Sequence, residues 1–273
     1  MNVKKWQKAL ALSIVVIALL FVYAPILLLM AYSFTDSGGG EWTGLSLVAY
    51  GEMFQDPDLL MAALNTFILG ISSALIATVL GTFTAIGIFN TKRKFARTAV
   101  SGANQITVVN ADIVTGVSFM LLFVVLRDIG LDIPRGWFTL IVSHVMITTP
   151  YVIMAVMPRL RQLNPNTYEA ALDLGATPFQ ATVKVLLPQL FGAMIAGFAL
   201  AFTLSLDDFV ITRYNRGDEL QTISTYIYGM VVKHGILNSF RALSTLLFIL
   251  ILGILILMNV KSRKNLKKGE HKK

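Results

Sequence analysis

Six apolar blocks dominate this chain of 273 residues, at about 9–32, 61–89, 99–126, 137–157, 189–211 and 243–260. A helix rises about 1.5 Å per residue, so roughly 20 such residues cross a hydrocarbon core of about 30 Å. With 55% apolar and only 14% charged residues, a soluble domain of this length would lack the polar surface to cover itself. The expectation is an all-α integral membrane protein with six transmembrane helices. Residues 1–263 read as a single membrane domain, and 264–273 as a basic tail. The first block resembles a signal peptide but is too long and lacks a small-x-small cleavage site, so it reads as an uncleaved span. With no cysteine, disulfides, thiol catalysis and cysteine-ligated metals are excluded.

The net charge of +8 is distributed in a way that nucleic-acid binding does not require. With the N-terminus inside, 17 of the 23 Lys and Arg residues fall on inner segments and 6 on outer ones. That bias predicts a multi-pass membrane protein with both termini cytoplasmic. It also puts the segment between the fourth and fifth blocks in the cytoplasm.

Within the apolar blocks, small and polar residues recur at helical spacing. Ser73, Ala77, Gly81 and Ala85 form one small-residue face, and Ala193, Gly197, Ala201 and Ser205 another. Such faces let helices approach closely. In the third block, Ser101, Asn104, Gln105, Asp112 and Thr115 fall near one stripe; in the fourth, His144, Thr148 and Tyr151 share a face, with a kink expected at Pro150. Polar groups at membrane depth should face protein or water.

The stretch 164–188, NPNTYEAALDLGATPFQATVKVLLP, is the long polar insert between apolar blocks. Asn164 can cap a helix starting at Pro165, and Gly175 can end it. Thr177, with Pro178 next and Gln180 three residues on, has the pattern of a capping box. The insert therefore predicts two short helices joined by a glycine elbow, with Pro188 at the entry to the fifth span.

Its pattern, Glu169-Ala170-Ala171, Gly175, Val185 and Leu187-Pro188, resembles the EAA loop of ABC-importer permeases, with valine where isoleucine is usual. Ala111-Asp112-Ile113-Val114, Thr149-Pro150-Tyr151-Val152 and residues 203–209, TLSLDDF, extend the resemblance to nearly the whole chain. Together they look like the second permease subunit of spermidine/putrescine importers. Two departures are visible: Ala111 where proline commonly precedes the acid, and Ile223-Ser224 where Leu-Pro usually stands. Permeases for ferric ion, phosphonates and other small solutes share parts of the same pattern.

The resemblance implies a fold of six spans with a cytoplasmic EAA helix-turn-helix. It implies a second permease subunit, a dimer of ATPase subunits, an extracytoplasmic substrate-binding protein and a polyamine substrate as partners, alongside membrane lipid. The ATPase-docking residues would be Glu169, Ala170, Ala171, Gly175, Leu187 and Pro188, with Glu169 paired to a basic residue of the ATPase. No phosphate-binding G-x-x-x-x-G-K-[S/T] motif occurs. No cofactor is therefore expected in this chain, with ATP and magnesium on the partner ATPase. No catalytic residue and no metal ligand is expected either. An intramembrane Ser118–His144 dyad can be drawn but lacks the flanking glycine of rhomboid-like enzymes. An Asp112–Asp207 or Asp112–Asp208 pair lacks the setting of presenilin-like proteases.

The expected substrate pathway comprises Asp112, Tyr151, Asp207 and Asp208. Adjacent carboxylates on a helix diverge by about 100°, and Asp208 would lie about 20° from the small-residue face seven residues earlier. Asp208 is thus the expected pathway contact, with Asp207 in support. The alternative is that both acids cap the next turn or pair with Arg213 and Arg216.

Overall fold

In this computed structural model the described residues are 5–35, 42, 44–91, 93–131, 133–218, 220–235, 238–249 and 252–253. All regular structure among them is helical. Four helical runs are long and apolar enough to cross a membrane: Leu12–Tyr32, Pro57–Asn90, Trp137–Gln162 and Pro178–Asp207. A fifth crossing would be the bent pair Thr98–Val109 and Asp112–Asp128. The expected sixth span is helical over 238–249, and the rest of it, with the tail 264–273, lies outside the described residues apart from 252–253.

The chain divides into two compact units. One comprises described residues of Met1–Leu60 and Ile227–Lys273. It holds α1 (Lys5–Tyr32) and α2 (Val48–Gln55). The end of α1 is tied down locally: Ser33 Oγ donates to the Met30 carbonyl and lies 2.9 Å from the Tyr50 hydroxyl. Arg241 stacks its guanidinium over the Tyr32 ring at 5.9 Å, a cation–π contact.

The other unit, Met61–Tyr226, holds most of α3 (Pro57–Asn90) and α4 (Lys94–Val109), α5 (Asp112–Asp128) and α6 (Trp137–Gln162). It continues through α7 (Pro165–Asp173), α8 (Pro178–Ala181), α9 (Leu187–Asp207), α10 (Val210–Asn215) and the start of α11 (Ile223–His234). Its core is where the small-residue faces meet. Val152 of α6 is fully buried between Gly81 of α3 and Gly197 of α9. A Cβ at Gly81 would stand 2.7 Å from Val152 Cβ, and one at Gly197 3.1 Å from Val152 Cγ1. Ser73 and Ser205, one from each face, meet at 3.0 Å. Both faces are therefore helix–helix contacts within the chain.

Two elements differ from the reading of the sequence. The third apolar block is not one helix: α4 and α5 meet at 110°. Asn110 and Ala111 are extended there (φ −67°, ψ 146° and φ −68°, ψ 132°), and Asn110 Nδ2 donates to Thr115 Oγ1. Asp112 is thus the first residue of α5, not a position several turns inside a long span. An acid at a helix N-terminus lies with the helix dipole, worth about 0.3–1 kcal/mol.

The second difference concerns the helix after the glycine elbow. It does not stop at Pro188 but runs through a π-helical turn, Thr182–Leu186, into α9. Proline offers no N–H and its ring crowds the carbonyl four residues back. The wider turn absorbs this, and Gln189 Nε2 donates to the Val185 carbonyl at 2.8 Å. The fifth span then ends at Asp207, four residues before the expected Ile211, because Asp208 is extended (φ −68°, ψ 127°).

Candidate functional site

The elbow between α6 and α9 is built as its residues dictate. Asn164 Oδ1 accepts from the Asn166 amide, and Pro165 takes the first helical position. At the other end of α7, the Ala176 amide reaches the Ala171 carbonyl and the Gly175 amide the Leu172 carbonyl. This paired closure needs a left-handed residue, and Gly175 supplies it at φ +87°. The capping box forms in both directions: Thr177 Oγ1 accepts from the Gln180 amide, and Gln180 Oε1 from the Thr177 amide. The elbow presents Leu174 (90% exposed) and Phe179 (71% exposed). Glu169 and Ala170 are exposed, Ala171 half-buried, and Leu187 and Pro188 begin α9 beyond the π turn. Among the described residues Glu169 has no hydrogen-bond or ion-pair partner.

A cavity of about 190 Å³ opens where the α4–α5 bend faces α6 and the end of α9. Asp112, Tyr151, Asp207 and Asp208 all line it, so the four residues expected on a pathway come together. Thr107, Thr115, Thr148 and Thr203 add hydroxyl groups, and no Lys or Arg is among the lining residues. Asp112 and Asp207 are exposed, and their carboxylates make no hydrogen bond or ion pair among the described residues. No three acid or imidazole groups among the described residues are close enough together to hold a metal ion. Thr107 carried no sequence signal, because only the bend after Val109 turns its helix end toward the cavity. Thr203 could have been found, since it opens the TLSLDDF stretch.

The adjacent acids have different surroundings. Asp207 ends α9, at the negative end of that helix dipole, where an acid is disfavoured and a cation favoured. Asp208 is enclosed: Oδ1 accepts from the Ile211 amide (3.2 Å), and Oδ2 from the Thr212 amide (2.7 Å) and hydroxyl (2.9 Å). Its carbonyl accepts from Ser224 Oγ at 2.8 Å. It therefore caps α10, the role left as the alternative in reading the sequence.

Neither acid pairs with Arg213 or Arg216 among the described residues. Arg216 Nη1 instead donates to the Leu220 carbonyl at 2.6 Å. Burial and then the neighbouring Arg213 draw the Arg216 pKa below its usual value, with Asp218 opposing them.

His144 is completely buried beside this corner. Its Nδ1 lies 2.8 Å from Ser205 Oγ, and its Nε2 3.1 Å from Thr212 Oγ1 and 3.5 Å from Asp208 Oδ2. Ser118, the other half of the conceivable dyad, is exposed and donates to the Val114 carbonyl. No serine–histidine dyad is assembled between them.

Residues 77–262 match the family described as the inner membrane component of binding-protein-dependent transport systems. The chain belongs to that family. This transport component is 32% identical over 246 residues to a spermidine/putrescine transport system permease protein, PotC, of Haemophilus influenzae, covering 90% of this chain and 93% of that one. It is 35% identical over 236 residues to the putrescine transport system permease protein PotI of Escherichia coli, covering 86% and 84%. A bacterial ABC transporter involved in the import of the acidic polysaccharide alginate has the same fold, with TM-score 0.75, 20% identity and 94% of each chain covered. The transport component is thus an all-helical, multi-pass membrane protein of the ABC-importer permease type.

Proposed function

We propose that this chain is one permease half of an ATP-driven importer whose substrate is a polyamine of the spermidine/putrescine type. The observation that carries the reading is the cavity: three acids, no Lys or Arg in its lining, an aromatic ring at Tyr151, and two of the acids without a side-chain partner among the described residues. A flexible chain with several ammonium groups needs spaced carboxylates and a ring face to offset its lost hydration. An anionic solute would meet like charges there. Relatives named for spermidine and putrescine support the same substrate class.

In this reading a second permease completes the pathway, and an extracytoplasmic binding protein delivers substrate. ATP and magnesium sit on a separate ATPase dimer. The elbow of residues 164–188 docks on that ATPase in the cytoplasm, with Glu169 facing a basic residue and Leu174 and Phe179 entering an apolar cleft. Asp112 and Asp207 contact the cation directly.

The test is spermidine uptake into proteoliposomes holding the full importer, over a range of substrate concentrations. Asp112→Asn and Asp207→Asn keep side-chain shape and remove charge; each should raise the half-saturation concentration about tenfold or more, a loss of roughly 1.4 kcal/mol or more. Wild-type half-saturation in both variants would show that the cavity is not the cation path.

A further inference from the structure

We propose that His144 is a positioning residue for transport: it locks Asp208 and the corner between α9 and α10, so that Asp207 faces the cavity. This rests on the cation-transport reading above. His144 does not line the cavity and is fully buried, so it acts only through its neighbours.

Hydrogen counting fixes the direction of that action. The Thr212 hydroxyl donates to Asp208 Oδ2, so the Thr212 oxygen faces His144 as an acceptor. Nε2 therefore carries a hydrogen, directed at Thr212 Oγ1 and Asp208 Oδ2. On its other side the ring meets Ser205 of α9, which meets Ser73 of α3. One imidazole thus connects α3 and α9 to the carboxylate that caps α10. The helix ends one residue earlier, at Asp207. If Asp208 moves, the last turn of α9 is free to continue or fray, and the Asp207 carboxylate leaves its present direction. A buried polar chain of this kind is stable only when each member is satisfied.

The experiment uses the complete importer in proteoliposomes, with spermidine as the probe. Complex assembly and ATPase activity without substrate are measured in parallel. His144→Leu fills the space but removes both ring nitrogens, and should raise half-saturation about tenfold with little change in maximal uptake, a shift of about 1.4 kcal/mol. His144→Gln places an amide nitrogen within reach of Thr212 and Asp208, and should return half-saturation to near the wild-type value. Thr212→Val removes the hydroxyl between the two and should reproduce the leucine phenotype. Combined with His144→Leu it should add nothing, since both break one chain of contacts.

Wild-type half-saturation in an assembled His144→Leu complex overturns the proposal. So does an assembled glutamine variant no better than leucine, which would make the role one of packing. If His144→Leu does not assemble, Thr212→Val decides alone, and wild-type half-saturation there overturns it. Failure of the cation reading is distinguishable, because then Asp112→Asn and Asp207→Asn would also transport normally.

Discussion

At the scale of single residues, the two adjacent acids have surroundings that an unbroken helix would not give them. An angular argument from Ala201 extends the helix through position 208 and aims Asp208 at the pathway. The helix ends at Asp207 instead, so the seven-residue rotation does not apply. Asp208 accepts from the Ile211 and Thr212 amides, whereas the Asp207 carboxylate has no hydrogen-bond or ion-pair partner among the described residues. Asp208→Ala should therefore act first on stability. Removing a capping carboxylate costs about 1 kcal/mol, and here it also strips His144 of a partner. The expected result is a lower melting midpoint for the detergent-solubilised complex, whereas Asp207→Asn melts like wild type. Equal midpoints for Asp208→Ala and wild type would remove the capping role. The residue types of the cavity were legible in the sequence, because carboxylates and a tyrosine inside apolar blocks have few other reasons to be there. Their different surroundings depend on one backbone torsion, at Asp208, and the local sequence gives no warning of it.

Individual elements show the same contrast between what chain chemistry announces and what packing decides. The elbow was legible almost atom by atom. Asn164, Gly175, Thr177 and Gln180 each satisfy a backbone group that a helix end leaves open, and they do so in this structure. The bend between α4 and α5 was not legible, since no proline or glycine stands at Asn110-Ala111 and an apolar block gives no boundary of its own. The π turn was equally silent, because Pro188 announces a disturbance but not how the preceding turn absorbs it.

Gly175 and Gly81 show why two glycines need separate arguments. A Cβ at Gly81 would collide with Val152, while one at Gly175 would meet nothing within 4 Å. The demand at Gly175 is its φ of +87° alone, which costs an L-residue about 1–2 kcal/mol. Gly175→Leu should leave the complex assembled but re-aim the elbow. Substrate-stimulated ATP hydrolysis should fall severalfold while the unstimulated rate persists. Undiminished stimulation and uptake in this variant would sink the docking assignment.

For the whole molecule, the charge bias and the elbow make one joint statement about orientation. Most Lys and Arg residues lie on the segments that would share a side with residues 164–188, and by the positive-inside rule that side is expected to be the cytoplasmic one. Small-residue faces made one packing contact of the architecture legible, with buried Gly81, Gly197 and Val152 at the meeting of α3, α6 and α9. Orientation is a property of the membrane that no contact within the chain can encode, so it needs its own measurement. The chain offers a direct one, since it contains no cysteine and any introduced thiol is unique within it. Leu174, at the tip of the elbow, and Leu131, between α5 and α6, are both well exposed, at 90% and 53%. One apolar crossing separates them, α6, so they should lie on opposite sides. In right-side-out cells a membrane-impermeant maleimide should label Leu131→Cys and spare Leu174→Cys until the membrane is opened. In inverted vesicles the pattern should reverse, and added ATPase subunits should protect only Leu174→Cys. Labelling of Leu174→Cys from outside intact cells would invert the topology and remove the elbow from any cytoplasmic partner.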